Sequence, residues 1–149
     1  MSGARIRRTH GAAEYPELVR IWRSAIDATH DFLTPDDRDE IEARLASDYF
    51  PAVSLRVAER DSRPVGFSGV AEGRLEMLFV AADERGRGTG TILLDDAIGE
   101  WGVSALDVNE QNAQAVGFYL HRGFVVVGRS DTDEAGRPYP LLHLGLPRT

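Results

Sequence analysis

The chain has 149 residues, and its 17 basic residues are all arginine, so that the 24 acidic residues leave a formal net charge of −7. This length suffices for one domain with a core of its own, and the lack of cysteine excludes disulfides, cysteine-bound zinc and a catalytic thiol. The acidic balance argues against a nucleic-acid partner and mildly favours a cationic substrate. The N-terminus lacks the apolar segment of a secretory signal, and no apolar run approaches the ~20 residues that span a bilayer. We therefore expect a cytoplasmic protein without a membrane partner.

The first half of the chain predicts two helices and a series of strands. Apolar residues at helical spacing mark the first helix, and Thr34 followed by Pro35 is typical of the N-cap and first position of the second. Pro51 is expected to end the helical region, and Glu72-Gly73 is expected to form a tight hairpin. In chain order, the predicted elements are a strand at 5–8, helices at 12–29 and 35–46, and strands at 54–60, 64–71 and 74–80.

The second half alternates helices and strands. Asn112 is expected to cap a helix, and Gly123 is expected to end it. The predicted elements are a helix from about residue 91, a strand at 105–108, a helix at 113–121, and strands at 124–130 and 139–146 joined by a turn at 133–137. This order predicts a single α+β domain over residues 1–149, with a mixed sheet and helices on both faces.

A glycine-rich loop, residues 85–90, lies between the last strand of the first half and the next helix. Its alternate glycines let the backbone come close to a ligand, and the first N–H groups of a helix attract anions. A P-loop is excluded because it requires a lysine, which the chain lacks. A dinucleotide fingerprint is excluded because its third glycine would fall at Thr91 or Leu93. The loop therefore predicts a site for another phosphate-bearing ligand.

The pattern Arg85-x-x-Gly88-x-Gly90 resembles the pyrophosphate loop of the GCN5-related N-acetyltransferases, the GNAT family, which bind acetyl-coenzyme A. The downstream segment from Asn112 through Tyr119 to Gly123 resembles the second signature of that family. The resemblance covers essentially the whole chain, because the order of elements is also similar. It implies the GNAT fold, with a mostly antiparallel sheet of about seven strands and a splayed strand pair after the fourth.

The resemblance also implies a role for particular residues. The loop N–H groups would hold the pyrophosphate, and the strand before the loop would pair with the pantetheine arm. The Val80 N–H would stabilise the oxyanion, Asn112 would contact the cofactor, and Tyr119 would protonate the leaving sulfur. The implied cofactor-binding residues are Leu78, Phe79, Val80, Arg85, Gly86, Arg87, Gly88, Thr89, Gly90, Asn112 and Tyr119.

Two residues are candidates for the general base. Glu76 shares a strand face with Leu78 and Val80 by the two-residue period of a strand, and some members of the family carry in this strand a catalytic glutamate that acts through water. His30 follows the first helix, in a region that lines the acceptor side in the family, and histidine titrates near neutrality. No pair of histidines has metal-ligand spacing, so no metal site is expected.

The segments at 27–33, 108–112 and 136–142 resemble one subgroup, the bacterial YjaB-type peptidyl-lysine N-acetyltransferases. This implies that a protein lysine is the acetyl acceptor. A small-molecule amine as acceptor remains open, as does an acyl-CoA-binding module without turnover. Neither the acceptor nor the choice between monomer and homodimer follows from the sequence.

Overall fold

The computed structural model describes residues 3–147, and the chain divides into two compact units, one up to Val103 and one from Ser104 onwards. The elements of the first unit are β1 (Arg5–Arg8), α1 (Tyr15–Thr29), α2 (Pro35–Arg44), β2 (Ser54–Arg60), β3 (Arg63–Ala71), β4 (Arg74–Val80) and α3 (Thr89–Trp101). Single helical turns occur at Ala12–Glu14, Leu45–Tyr49, Phe50–Ala52 and Ala82–Glu84. The elements of the second unit are β5 (Ala105–Asn109), α4 (Ala113–His121), β6 (Val125–Ser130) and β7 (Leu141–Gly145).

In the first unit, the four strands pair in chain order and all antiparallel. One face of this sheet packs on α1, and Phe50 and Phe67 pack edge to face in the same apolar cluster, with ring centroids 5.6 Å apart. The other face packs on α3 through Leu93, which contacts Ala58 and Val65. The apolar residues that predicted the first helix are all buried: Leu18, Ile21, Trp22, Ala25 and Ile26. Helices on both faces of a sheet are therefore confirmed within this unit.

Two tight hairpins connect β2 to β3 and β3 to β4. The predicted Glu72-Gly73 turn is confirmed, with φ angles of 52° and 76°. Asp61 and Ser62 form the other turn, at φ angles of 54° and 63°. Two central residues with positive φ are typical of the turn type that matches the twist of antiparallel strands.

The pairing of β3 with β4 contains a bulge at Glu76. Gly69 is opposite Met77 and Val70 is opposite Leu75, so Glu76 is the additional residue on β4. The prediction that Glu76 shares a face with Leu78 and Val80 depended on unbroken alternation. That alternation is interrupted at Glu76, and the argument from strand period therefore does not hold there.

In the second unit, β7 lies between β5 and β6, and both pairings are antiparallel. His143 is opposite Asp107 on β5 and opposite Gly128 on β6. β6 is the last strand in this order, and its Val125, Val126 and Val127 are 44%, 51% and 68% exposed. Across the described part of both units there are seven strands, and every pairing inside a unit is antiparallel. The α+β class is thus confirmed, whereas the single-domain assignment remains a prediction.

Some boundaries differ from the predicted ones for local reasons. The last strand begins at Leu141 rather than at 139, because Pro138 and Pro140 have no N–H to donate. Pro51 does not end the second helical region but lies inside a short turn that follows α2. Among residues 3–147, no helix has both the length and the apolar character needed to cross a bilayer.

Candidate functional site

Among the four α-helices of the described residues, only α3 begins with neither a side-chain cap nor an acidic residue in its first turn. Thr34 accepts a hydrogen bond from the Asp37 N–H at the start of α2. Gly88, at the same position of α3, has no side chain to cap with, takes a left-handed φ of 83°, and is followed by no acidic residue in the first turn. Unsatisfied N–H groups at an exposed helix start attract an anion.

Two arginines flank this helix start, and both are exposed at its surface. Arg85, Gly86, Arg87 and Gly88 are all exposed, and Gly86 also has a positive φ, of 82°. Arginine donors match phosphate oxygens in number and geometry. This local geometry favours an anion, and the binding of a phosphate-bearing ligand at the loop stays a prediction.

Glu84, which the sequence analysis did not single out, restrains the loop through hydrogen bonds to its buried carboxylate. Its buried carboxylate accepts a hydrogen bond from Arg60 Nε at 2.7 Å and another from the Thr89 hydroxyl at 2.9 Å. Arg87 lies 3.4 Å from its other oxygen. Burial opposes ionisation of Glu84, but the Arg60 and Thr89 hydrogen bonds outweigh it and lower the pKa of Glu84 below its usual value. Arg87 in the middle of the loop and Thr89 near its end are thereby attached to one fixed negative charge.

The side chain of Thr89 is committed to this interaction, because it is 1% exposed and donates to Glu84. Only its backbone N–H is left for a ligand. Ala82, in the helical turn before the loop, donates its N–H to the Ser24 hydroxyl of α1 at 2.8 Å. Hydrogen bonds to Glu84 and to α1 therefore restrain the loop and the turn before it.

The end of β4 presents backbone N–H groups away from β3. The Ala81 N–H donates to the Val65 carbonyl at 2.9 Å, so these two residues form a hydrogen-bonded pair. Hydrogen-bonded and non-hydrogen-bonded pairs alternate in antiparallel strands, which makes Val80 and Gly66 a non-hydrogen-bonded pair. The N–H of Val80 is consequently directed to the side of β4 opposite β3, as a donor to a ligand requires.

In the second unit, Asn112 caps α4 as predicted. Its side-chain oxygen accepts the Ala115 N–H at 3.2 Å, and its own N–H donates to Asn109 at 3.0 Å. The cap uses the oxygen of the side-chain amide, and the two hydrogens of its NH₂ group can still donate to a ligand.

Tyr119 lies on α4 and is 8% exposed. Its ring packs on Phe118 and Phe124, with centroids 5.1 Å and 6.0 Å away. Burial raises the pKa of the Tyr119 phenol above its ordinary value. The hydroxyl thus keeps its proton throughout the neutral range and is able to donate it.

His30 ends α1 and is partly buried. Burial lowers the pKa of His30 to about 4, and the nearby Asp31 opposes this only in part. The Thr29 hydroxyl donates to the Ala25 carbonyl at 2.8 Å and lies 2.6 Å from His30 Nδ1. Since that hydroxyl has a single hydrogen, Nδ1–H donates to it and the lone pair of the neutral ring is on Nε2.

Glu76, the second candidate base, is exposed at the bulge on β4. One carboxylate oxygen lies 3.6 Å from Nε of Arg74. Bulges are common beside active sites because they redirect a side chain out of the regular sheet. No group of three or more histidine or acidic residues that could hold a metal ion occurs in the described residues.

Comparisons with known proteins agree with this geometry. The family model "Acetyltransferase (GNAT) domain" matches residues 24–139. Peptidyl-lysine N-acetyltransferase YjaB of Salmonella typhimurium is 46% identical over 135 residues, which cover 90% of this chain and 92% of that protein. The solution structure of apo YjaB from Escherichia coli superposes with a TM-score of 0.89 at 42% identity, over 99% of this chain and all of that one. The PaiA N-acetyltransferase of Thermoplasma acidophilum in complex with coenzyme A shares the fold, with a TM-score of 0.73 at 18% identity over 95% of this chain and 98% of that one.

Proposed function

Because the chain belongs to the GNAT family and is an N-acetyltransferase, we propose that it transfers the acetyl group of acetyl-CoA to the side-chain amine of a protein lysine. The choice of lysine is supported by a relative of 46% identity that is named a peptidyl-lysine N-acetyltransferase. The observation that carries the proposal is the start of α3. Gly88 provides no side-chain cap there, and the two loop arginines come just before it.

The loop binds the pyrophosphate of the donor. N–H groups of Gly88, Thr89 and Gly90 and the guanidinium groups of Arg85 and Arg87 supply hydrogen bonds and positive charge. Glu84 holds the loop in this form before the cofactor arrives, so that little conformational entropy is lost on binding. β4 pairs with the pantetheine arm through Leu78, Phe79 and Val80, and Asn112 donates to it from α4.

The reaction is a direct attack of the amine nitrogen on the thioester carbon. A C–N bond forms as the C–S bond breaks, and the Val80 N–H stabilises the negative charge on the carbonyl oxygen. Tyr119 gives its proton to the leaving thiolate. The amine proton passes to Glu76, through water, or to His30, whose neutral ring has a lone pair on Nε2.

The proposal is tested by thiol release from acetyl-CoA in the presence of a lysine peptide. The control peptide has arginine in place of lysine and should give no release above background. Turnover with small amines but not with lysine peptides would refute lysine as the acceptor. Tight coenzyme A binding, with no thiol released from acetyl-CoA whichever amine is added, would instead identify a binding module.

The role of Tyr119 is tested by Tyr119→Phe, which should lower kcat ~10–10³-fold with the affinity for coenzyme A nearly unchanged. Tyr15→Phe is the control, because the Tyr15 ring packs against Phe50 in the core of the first unit. An unchanged kcat would remove Tyr119 from the mechanism. Of Glu76→Gln and His30→Gln, the variant that loses ~10²-fold or more in kcat identifies the base.

A further inference from the structure

The three strands of the second unit hold an aspartate, a histidine and a serine in one hydrogen-bonded chain. His143 Nδ1 on β7 lies 2.6 Å from an Asp107 carboxylate oxygen on β5. His143 Nε2 lies 2.7 Å from the Ser130 hydroxyl on β6. The sequence gives no sign of this set, because its members are separated by 36 and 13 residues.

The direction of the two hydrogen bonds follows from the chemistry of the groups. A carboxylate accepts but cannot donate, so the hydrogen of the neutral imidazole is on Nδ1. The lone pair is then on Nε2, and the Ser130 hydroxyl must be the donor to it. This is the arrangement in which an imidazole removes the proton of a serine nucleophile while a carboxylate fixes its tautomer.

The surroundings keep the imidazole in place and leave it accessible. Gly128 lies opposite His143, and a Cβ there would come within 3.2 Å of the imidazole ring. The side chains of His143 and Asp107 are 34% and 19% exposed, and Ser130 is partly buried. Strand alternation places Asp107 and His143 on the face opposite the buried Leu106 and Leu144. The set therefore faces away from the apolar core of its own unit.

We propose that Ser130 is a nucleophile that accepts acyl groups from activated esters and thioesters. The Ser130 oxygen bonds to the acyl carbon as the bond to the leaving alkoxide or thiolate breaks. The hydroxyl proton moves to His143 Nε2 and then to the leaving group. Water then attacks the acyl-serine with the same imidazole as base, which releases the carboxylic acid and returns the proton to Ser130. This activity is separate from acetyl transfer to an amine.

The first test is hydrolysis of p-nitrophenyl acetate, with acid-quenched samples analysed by mass spectrometry. We expect one acetyl group on Ser130 and loss of both the adduct and the enzymatic rate in Ser130→Ala. Asp107→Asn should lower the rate ~10²–10⁴-fold. Ser104→Ala is the control, because Ser104 is an exposed serine of the same unit.

The composition of the chain makes the adduct easy to assign. There is no lysine in the sequence, so an acetyl amide can form only at the N-terminal amine. Hydroxylamine cleaves an ester on serine and leaves that amide intact. An adduct that resists hydroxylamine, or an equal rate in wild type and Ser130→Ala, would overturn the proposal.

A second test measures proton removal by His143 directly and does not depend on turnover. The chain has no cysteine, so Ser130→Cys introduces the single thiol of the protein. We expect iodoacetamide to alkylate it ~10-fold or more faster at neutral pH than the thiol of Ser104→Cys, because a neighbouring imidazole favours the thiolate. His143→Gln in the Ser130→Cys background should abolish the difference, and equal alkylation rates in all three proteins would contradict the proposal.

Both tests are independent of the acetyltransferase function. Tyr119→Phe should lose acetyl transfer to amines and retain Ser130 acylation by p-nitrophenyl acetate. Ser130→Ala should show the reverse. Loss of both activities in Ser130→Ala, with its unfolding transition unchanged, would show that the two are not separate and would overturn this assignment.

Discussion

Two buried glutamates in the first unit have nearly the same surroundings and different positions. Glu14 precedes α1, and Glu84 precedes the glycine-rich loop; their side chains are 6% and 5% exposed. Each accepts hydrogen bonds from an arginine on a strand and from a threonine hydroxyl. The first unit thus contains two buried glutamates with the same kinds of partner, an arginine and a threonine hydroxyl.

The two sites differ in what else is attached to them. Glu14 also accepts a hydrogen bond from the backbone N–H of His10, and its arginine, Arg7, also bonds to Glu59 at 2.7 Å. Glu84 instead accepts a further hydrogen bond from Arg87, and both Arg87 and its threonine, Thr89, belong to the candidate anion loop. We therefore expect loss of the Glu84 carboxylate to affect both stability and ligand binding, and loss of the Glu14 carboxylate to affect stability alone.

The largest expected effect comes from removing either carboxylate. Glu14→Ala and Glu84→Ala should each lower the free energy of unfolding by about 3–5 kcal/mol, because each removes the carboxylate of a largely buried ion pair. Only Glu84→Ala should also weaken coenzyme A binding. Urea unfolding and calorimetric titration measure the two quantities, and equal weakening of binding in both variants would break the comparison.

The next effect is a loss of stability in acid. Burial raises the pKa of Glu14, but the hydrogen bonds from Arg7, the His10 N–H and Thr9 outweigh it and lower that pKa from 4.5 to about 2. A lowered folded-state pKa stabilises the protein above the unfolded value, and this contribution, ~3 kcal/mol, disappears as pH falls from about 4.5 towards 2. Unfolding free energies of wild type and Glu14→Gln should converge over that range. A constant difference would contradict it.

A smaller loss of stability is expected when Gly88 is replaced. A Cβ at Gly88 meets no atom within 4 Å, so Gly88→Val adds only the strain of its φ of 83°, ~1–3 kcal/mol. Gly136→Val is the matched control, with a φ of 81°, equally open surroundings and a position in the turn before β7. Both variants should lose similar stability, and only Gly88→Val should abolish coenzyme A binding. Tight binding by Gly88→Val would refute the loop as the phosphate site.

The smallest effect on stability is expected from Arg87→Ala. Its pair with Glu84, three residues away, involves a side chain that is 57% exposed, and exposed pairs contribute about 0–1 kcal/mol. Arg20→Ala is the control, because Arg20 pairs with Glu17 at the same spacing and is 54% exposed. Both should unfold nearly as wild type, while Arg87→Ala alone should raise the dissociation constant of coenzyme A ~10-fold. Equal dissociation constants would exclude Arg87 from the site.

The features that could be predicted from the sequence are local in the chain. Thr34 with Pro35 predicted the start of α2, and Asn112 predicted the cap of α4, because a cap involves residues at most three positions apart. The glycine loop was recognisable for the same reason, since the chemistry of a helix start is contained in six consecutive residues.

The features that could not be predicted join distant residues. Glu84 takes its strongest partner, Arg60, from 24 residues away. The bulge at Glu76 depends on how β3 and β4 align, and hydrophobic alternation does not specify where one additional residue will be inserted. His143 was predicted only as a strand residue, and its partners became apparent only once the order β5, β7, β6 was known.

The three exposed valines of β6 have a consequence for handling the protein in solution. An edge strand with apolar side chains and unpaired backbone groups favours association between copies. At neutral pH the formal charge of −7 keeps the molecules apart. Near the isoelectric point, about 5.0, that repulsion disappears while the apolar edge remains. Solubility should therefore pass through a minimum near that pH. The pH dependence of stability attributed to Glu14 is best measured at low protein concentration and at pH values below this minimum.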